Sequence, residues 1–146
     1  MAFSHFFEPS TAIVERFDCG LGPGKNFTLQ AVPSGNFTVS LMAGDCPGSA
    51  DIALLVSVKF KKPTTEMLFA CRTDGQWSEP EYCCTCPCSS LEANAPFELG
   101  LSVSCQYFKI SVNRKVVGKF DHRCDPNLVN HYSVAGAVSL RVVSIH

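Results

Sequence analysis

The chain holds a single tryptophan, Trp77, and it follows closely on a run in which polar and apolar residues alternate. Between Ile52 and Phe60, successive side chains of a strand would point to opposite faces, with Leu54, Val56, Val58 and Phe60 on one side and Leu55, Ser57 and Lys59 on the other. One face is dry and the other partly polar. An aromatic plane set beside a partly polar face offers apolar surface and hydrogen bonds together, which suits a ligand that is polar at its edges and apolar on one side. A sugar is such a ligand. Trp77 can equally cap the core of an ordinary sandwich, and pattern alone leaves both roles open.

The nine cysteines, Cys19, Cys46, Cys71, Cys83, Cys84, Cys86, Cys88, Cys105 and Cys124, are the other residues with chemistry of their own. Cys83 and Cys86 have C-x-x-C spacing, but a structural zinc site pairs two such knuckles and no second one is present, so neither a metal nor a cofactor is expected. Reduced thiols used as small apolar residues are the leading reading; in an oxidising compartment disulfides form, and an odd count leaves at least one thiol over. His122 and His131 have no nucleophile elbow, paired carboxylates or phosphate loop near them, so no catalytic residue is assigned and the chain is read as non-enzymatic.

The elements that must position these residues belong to one domain, 1–146. Nearly half the residues are apolar (46%), 11 are phenylalanine and 17% are charged, which is the composition of a folded β-protein and excludes disorder. A net charge of -1 gives no electrostatic case for nucleic acid or an acidic membrane surface. The N-terminal stretch has no basic region followed by an apolar run, so no signal peptide is read, and no run is long enough for membrane insertion. The sequons Asn26-Phe27-Thr28 and Asn36-Phe37-Thr38 are accordingly read as unused.

From Phe17 onward, short strands separated by Gly, Pro, Asn or Asp recur at sandwich-like spacing, and nothing reads as a long helix. Phe27 to Val32 and Phe37 to Met42 read as a hairpin about Pro33-Ser34-Gly35-Asn36. Ile52 to Phe60, Glu66 to Cys71 and Gln76-Trp77 read as a meander, with turns at Lys61-Lys62-Pro63-Thr64 and Arg72-Thr73-Asp74-Gly75. Ser78 to Ala95 reads as a long surface loop or weak edge strand. A strand from Pro96 to Cys105, a hairpin of Tyr107 to Val112 with Val116 to Phe120, and two strands, Val129 to Val134 and Val138 to Ile145, complete the set.

The order of Asp51-Ile52-Ala53-Leu54, Trp77, Pro96-Phe97-Glu98-Leu99, Phe108-Lys109-Ile110-Ser111-Val112-Asn113, Phe120-Asp121-His122-Arg123 and Val134-Ala135-Gly136-Ala137-Val138-Ser139-Leu140 resembles the galectin family from about Phe17 to the end. The resemblance implies an all-β jelly-roll β-sandwich of two antiparallel sheets, binding galactose-containing glycans on a concave face. It also implies cytoplasmic synthesis without a signal peptide and export by an unconventional route. Lectins that cross-link need at least two sites per particle, which makes a homo-oligomer the expected state, with an edge strand such as Val138 to Ile145 as the pairing surface.

The family's sugar-binding pattern is His-x-Asn-x-Arg on one strand, an Asn after the next strand, and Trp-Gly-x-Glu-x-Arg after the following turn. Here those positions hold Leu55, Ser57 and Lys59, then Ala70 or Cys71, then Trp77-Ser78-Glu79-Pro80-Glu81-Tyr82. The Trp alone is intact. Lys59 keeps the charge of the family Arg without its planar fork, and Ser57 is shorter than Asn. Arg72 near the Trp, with Glu79 or Glu81 in place of the family Glu, can rebuild a charged clamp. The expected carbohydrate site is therefore Trp77, Lys59, Ser57, Arg72, Glu79 and Glu81; the alternative is a galectin fold that has lost galactosides and acts through protein contacts.

Overall fold

A computed structural model describes residues 13–17, 20–46, 48–61, 64–82 and 91–146. Among the described residues the strands are β1 (Ile13–Arg16), β2 (Asn26–Ala43), β3 (Asp51–Lys61), β4 (Thr64–Thr73), β5 (Gln76–Trp77), β6 (Glu81–Tyr82), β7 (Phe97–Val103), β8 (Tyr107–Val112), β9 (Lys115–Asp121) and β10 (His131–Ile145), with a short 3-10 helix at Pro126–Leu128. Every pairing among the described residues is antiparallel.

Two layers share the long strands β2 and β10, which pair with each other from Phe27↔Ile145 to Met42↔His131. Beside them, the first half of β2 takes β7, followed by β8 and β9, and the second half takes β3, followed by β4 with β5 and β6. Folding the shared ribbon at its middle brings the inner faces together. Val39, Leu41, Val56, Val58 and Phe69 of one layer and Leu29, Leu99, Ile110, Val117 and Phe120 of the other then form a single buried cluster. The Phe69 ring lies so close over Gly118 that a Cβ there would stand 2.8 Å from it. The all-β jelly-roll expectation holds.

Two expectations are corrected. The hairpin between Phe27 and Met42 is instead one strand, because Pro33 to Asn36 bends the ribbon between layers instead of reversing it. Asn36 Oδ1 accepts from Phe60 N–H at 2.8 Å, and Pro33 O accepts from Asn94 N–H at 2.6 Å, so this segment's polar groups are satisfied by distant loops and not by a turn of its own. Opposite it, the two strands read in Val129 to Ile145 are the single β10, broken only by bulges between Gly136 and Val138 and between Leu140 and Val142. Strand β1 lies ahead of Phe17, outside the expected strands.

The meander is as expected, with a tight turn of Asp74 (φ 50) and Gly75 (φ 78) joining β4 to β5. The β8–β9 hairpin turns on Asn113 and Arg114, both at positive φ. Within 78–95 the described part includes the short edge strand β6; the CCTCPC run and the middle of the Lys61–Thr64 turn lie outside the described residues. No helix among the described residues is long and apolar enough to cross a membrane.

Candidate functional site

Residues directly opposite in an antiparallel pair project to the same face, so the register assigns a shared surface. On the face of β2, β3, β4 and β10 turned away from the main core, one row runs His131, Met42, Ile52, Arg72, Trp77. The next runs Ser133, Ser40, Leu55, Ala70, and the third runs Ala135, Thr38, Ser57, Leu68, Tyr82. Lys59 and Glu66 form the following pair. The alternation expected for β3 is present, except that a bulge between Ile52 and Leu55 turns both onto this face and sends Ala53 and Leu54 to the core.

At one end of the face, Met42, Ile52 and Leu55 form a small buried cluster against which half-buried Trp77 packs, together with Val14 and Ala50. The Arg72 guanidinium lies 5.4 Å from the indole centroid and donates from one Nη to Ala50 O at 2.6 Å. Burial pulls the Arg72 pKa below its ordinary value, and the neighbouring Asp51 carboxylate opposes that shift. The cation is thus held between an aromatic ring and a carbonyl, a geometry that fixes its direction.

In the middle of the face the side chains are hydroxyls. Thr38, Ser40, Ser57 and Ser133 are each no more than 2% exposed, and none of their hydroxyl oxygens has a hydrogen-bond partner among the described residues. Buried hydroxyls nearly always find partners, so four unpaired in one block is a departure from the usual pattern.

Of the residues expected from sequence, Trp77, Arg72, Ser57 and Lys59 share this face. Glu79 is exposed in the loop after Trp77, where its carbonyl accepts from Ser78 Oγ at 3.3 Å. Glu81 is directed elsewhere: it pairs in register with core residue Phe69 and its carboxylate meets Arg123 Nη at 2.7 Å, with the Arg123 guanidinium over the Phe120 ring. Leu55, at the family His position, is buried beneath the face. Thr38, Ser40, Ser133 and Tyr82 were not in the expected site. The alternation of Phe37 to Met42 could have supplied the first two, but Ser133 and Tyr82 arrive only through long-range register. His122 Nε2 lies 2.8 Å from Ser104 O with its ring edge-on to Phe108, and His131 Nδ1 lies 2.8 Å from Asn130 Oδ1.

A family model described as galactoside-binding lectin matches residues 12–145. Galectin-4 of Sus scrofa is 27% identical over 141 residues, covering 94% of this chain and 42% of its own length. Galectin-4 of Homo sapiens is 26% identical over the same shares. The chain therefore spans less than half the length of these curated relatives. Among solved structures, sheep galectin-11 in complex with glycerol aligns with a TM-score of 0.80 at 19% identity, over 93% of this chain and 98% of that one. A doubly substituted human galectin-16 aligns with a TM-score of 0.75 at 18% identity, over 97% of each. Identities this low speak to the fold alone.

Proposed function

The chain belongs to the galactoside-binding lectin family, and from that premise we propose that it is a non-catalytic lectin whose face around Trp77 binds galactose-containing glycans. The observation that carries the reading is the coincidence, on one face, of a half-buried indole, a fixed guanidinium and the Lys59 ammonium. A galactose ring stacks its apolar side on the indole, and its hydroxyls exchange hydrogen bonds with Arg72 and Lys59. Each neutral hydrogen bond contributes about 1 kcal/mol and one to a charged group about 1.5–3 kcal/mol. Millimolar binding needs only about 4 kcal/mol.

A second reading is favoured by the Trp77 contacts themselves. Arg72 and the Met42, Ile52, Leu55 cluster both engage the indole, so the ring can serve the fold, with the domain acting through protein contacts. Titration of the reduced protein with lactose and N-acetylgalactosamine, followed by the fluorescence of the single tryptophan and by calorimetry, decides between them. Saturable binding abolished in Trp77→Ala is expected; no response at millimolar sugar would overturn the galactoside reading and leave the second.

In this reading the chain assembles into a homo-oligomer, since cross-linking requires more than one site. The outer edge of β10 from Val138 to Ile145, which carries no partner strand among the described residues, is the surface we assign to that pairing. Cytoplasmic synthesis followed by unconventional export accords with it.

A further inference from the structure

Strand β4 presents Arg72 to the candidate site and the preceding residue, Cys71, to the opposite side. Cys71 is 2% exposed and belongs to the main core. Its backbone is tied to the Trp77 hairpin in both directions: its N–H donates to Ser78 Oγ at 3.0 Å, and its carbonyl accepts from Ser78 N–H at 2.8 Å. Cys124, between β9 and the 3-10 helix, packs partly buried against the same core, with Sγ 3.9 Å from Ile52 O. Ile52 is the register partner of Arg72, and the adjoining bulge sets Ala53 and Leu54 across from Cys71. The sulfur of Cys124 thus reaches the same β3–β4 position that Cys71 occupies from within the sheet. Both thiols are free. Burial first, and then the nearby Asp51 and Asp125 carboxylates, push the Cys124 thiol up to about 11.

We propose that Cys71 and Cys124 are a modification site, a reversible disulfide that ties β4 to the turn after β9 and acts on the hairpin carrying Trp77. The proposal rests on the fold and not on the glycan reading. With oxidised glutathione as the oxidant, the Cys124 thiolate attacks one glutathione sulfur, forming a mixed disulfide and releasing one glutathione thiolate. Cys71 then gives up its proton, and its sulfur attacks that of Cys124, releasing the second. Two protein S–H bonds and one glutathione S–S bond break, one protein S–S bond forms, and the two protons end on the two glutathione thiols. Cys124 reacts first because it is the more exposed of the pair. Its disfavoured thiolate keeps the pair reduced through brief oxidant exposure and makes the first step, formation of the mixed disulfide, faster as pH rises towards 11.

The test incubates the folded chain with oxidised glutathione at pH 8.5, alkylates remaining thiols, and digests with trypsin without reduction. Tryptic peptides 62–72 and 124–141 each contain one cysteine, Cys71 and Cys124 respectively. The expected result is a linked 62–72/124–141 pair, with a change in Trp77 emission reversed by dithiothreitol and both effects absent in Cys124→Ala. Exposed Cys46 and Cys105 serve as internal controls for oxidant uptake. Recovery of both peptides alkylated while the controls are oxidised, or linkage of Cys71 to another cysteine, would overturn the site. A linked pair with unchanged emission would overturn its coupling to the hairpin.

Discussion

Arg72 is the side chain on which the candidate face most depends, because the same contacts that hold it also orient Trp77. Replacing it with Ala strands the Ala50 carbonyl and removes the cation from the indole. The expected loss in a urea titration is about 2–3 kcal/mol, and Arg72→Lys should recover only part of it because an ammonium lacks the planar fork. Cys124 adds a pH dependence at this scale. Its thiol ionises near 9.0 when unperturbed and near 11 in the fold, so between those values the unfolded chain has lost a proton that the native chain keeps. Stability therefore falls as pH rises from 9 towards 11, and Cys124→Ala should flatten that part of the profile. Local alternation and one turn are enough to set Trp77, Arg72, Ser57 and Lys59 on one face. Glu81 shows the limit: its partner Arg123 lies 42 positions away, and no local pattern announces that pair.

The elements were legible wherever local chemistry alone sets the chain direction. Asp74-Gly75 and Asn113-Arg114 turn tightly because their own dihedrals allow it, and both hairpins stand where the sequence placed them. Pro33-Ser34-Gly35-Asn36 has the same residue types but a different outcome, because its polar groups are claimed by Phe60 and Asn94 and its flanks by one continuous partner, β10. Local signals cannot distinguish a turn from a bend when the deciding hydrogen bonds are long-range. The β4–β5 turn permits a direct check. Gly75 sits at φ 78 with open space around it, so Gly75→Ala pays only the left-handed backbone cost of about 1–2 kcal/mol. Since that hairpin carries Trp77, the variant should also show shifted tryptophan emission, whereas a loss of the same size made elsewhere should leave emission unchanged.

For the whole molecule, the decisive feature is that two layers share one two-stranded ribbon, so the crossing point of β2 and β10 determines whether the layers meet at all. Gly136 occupies that point at φ 106, where a Cβ would stand 2.5 Å from Asn36 O and 2.7 Å from Phe37 Cα. Those are backbone atoms of the paired strand, so relief requires the ribbon to part and the Phe37 contact with Phe97, at 5.3 Å between ring centroids, to move with it. Gly136→Ala should therefore cost about 3 kcal/mol or more, from backbone strain and overpacking together, and lower the thermal midpoint by on the order of 10 °C. Gly48→Ala, where nothing lies within 4 Å of the added carbon, is the matched control and should move the midpoint little. If both variants melted with the wild type, the shared ribbon would not be what holds the layers in register, and the face that carries Trp77 would need another source of curvature.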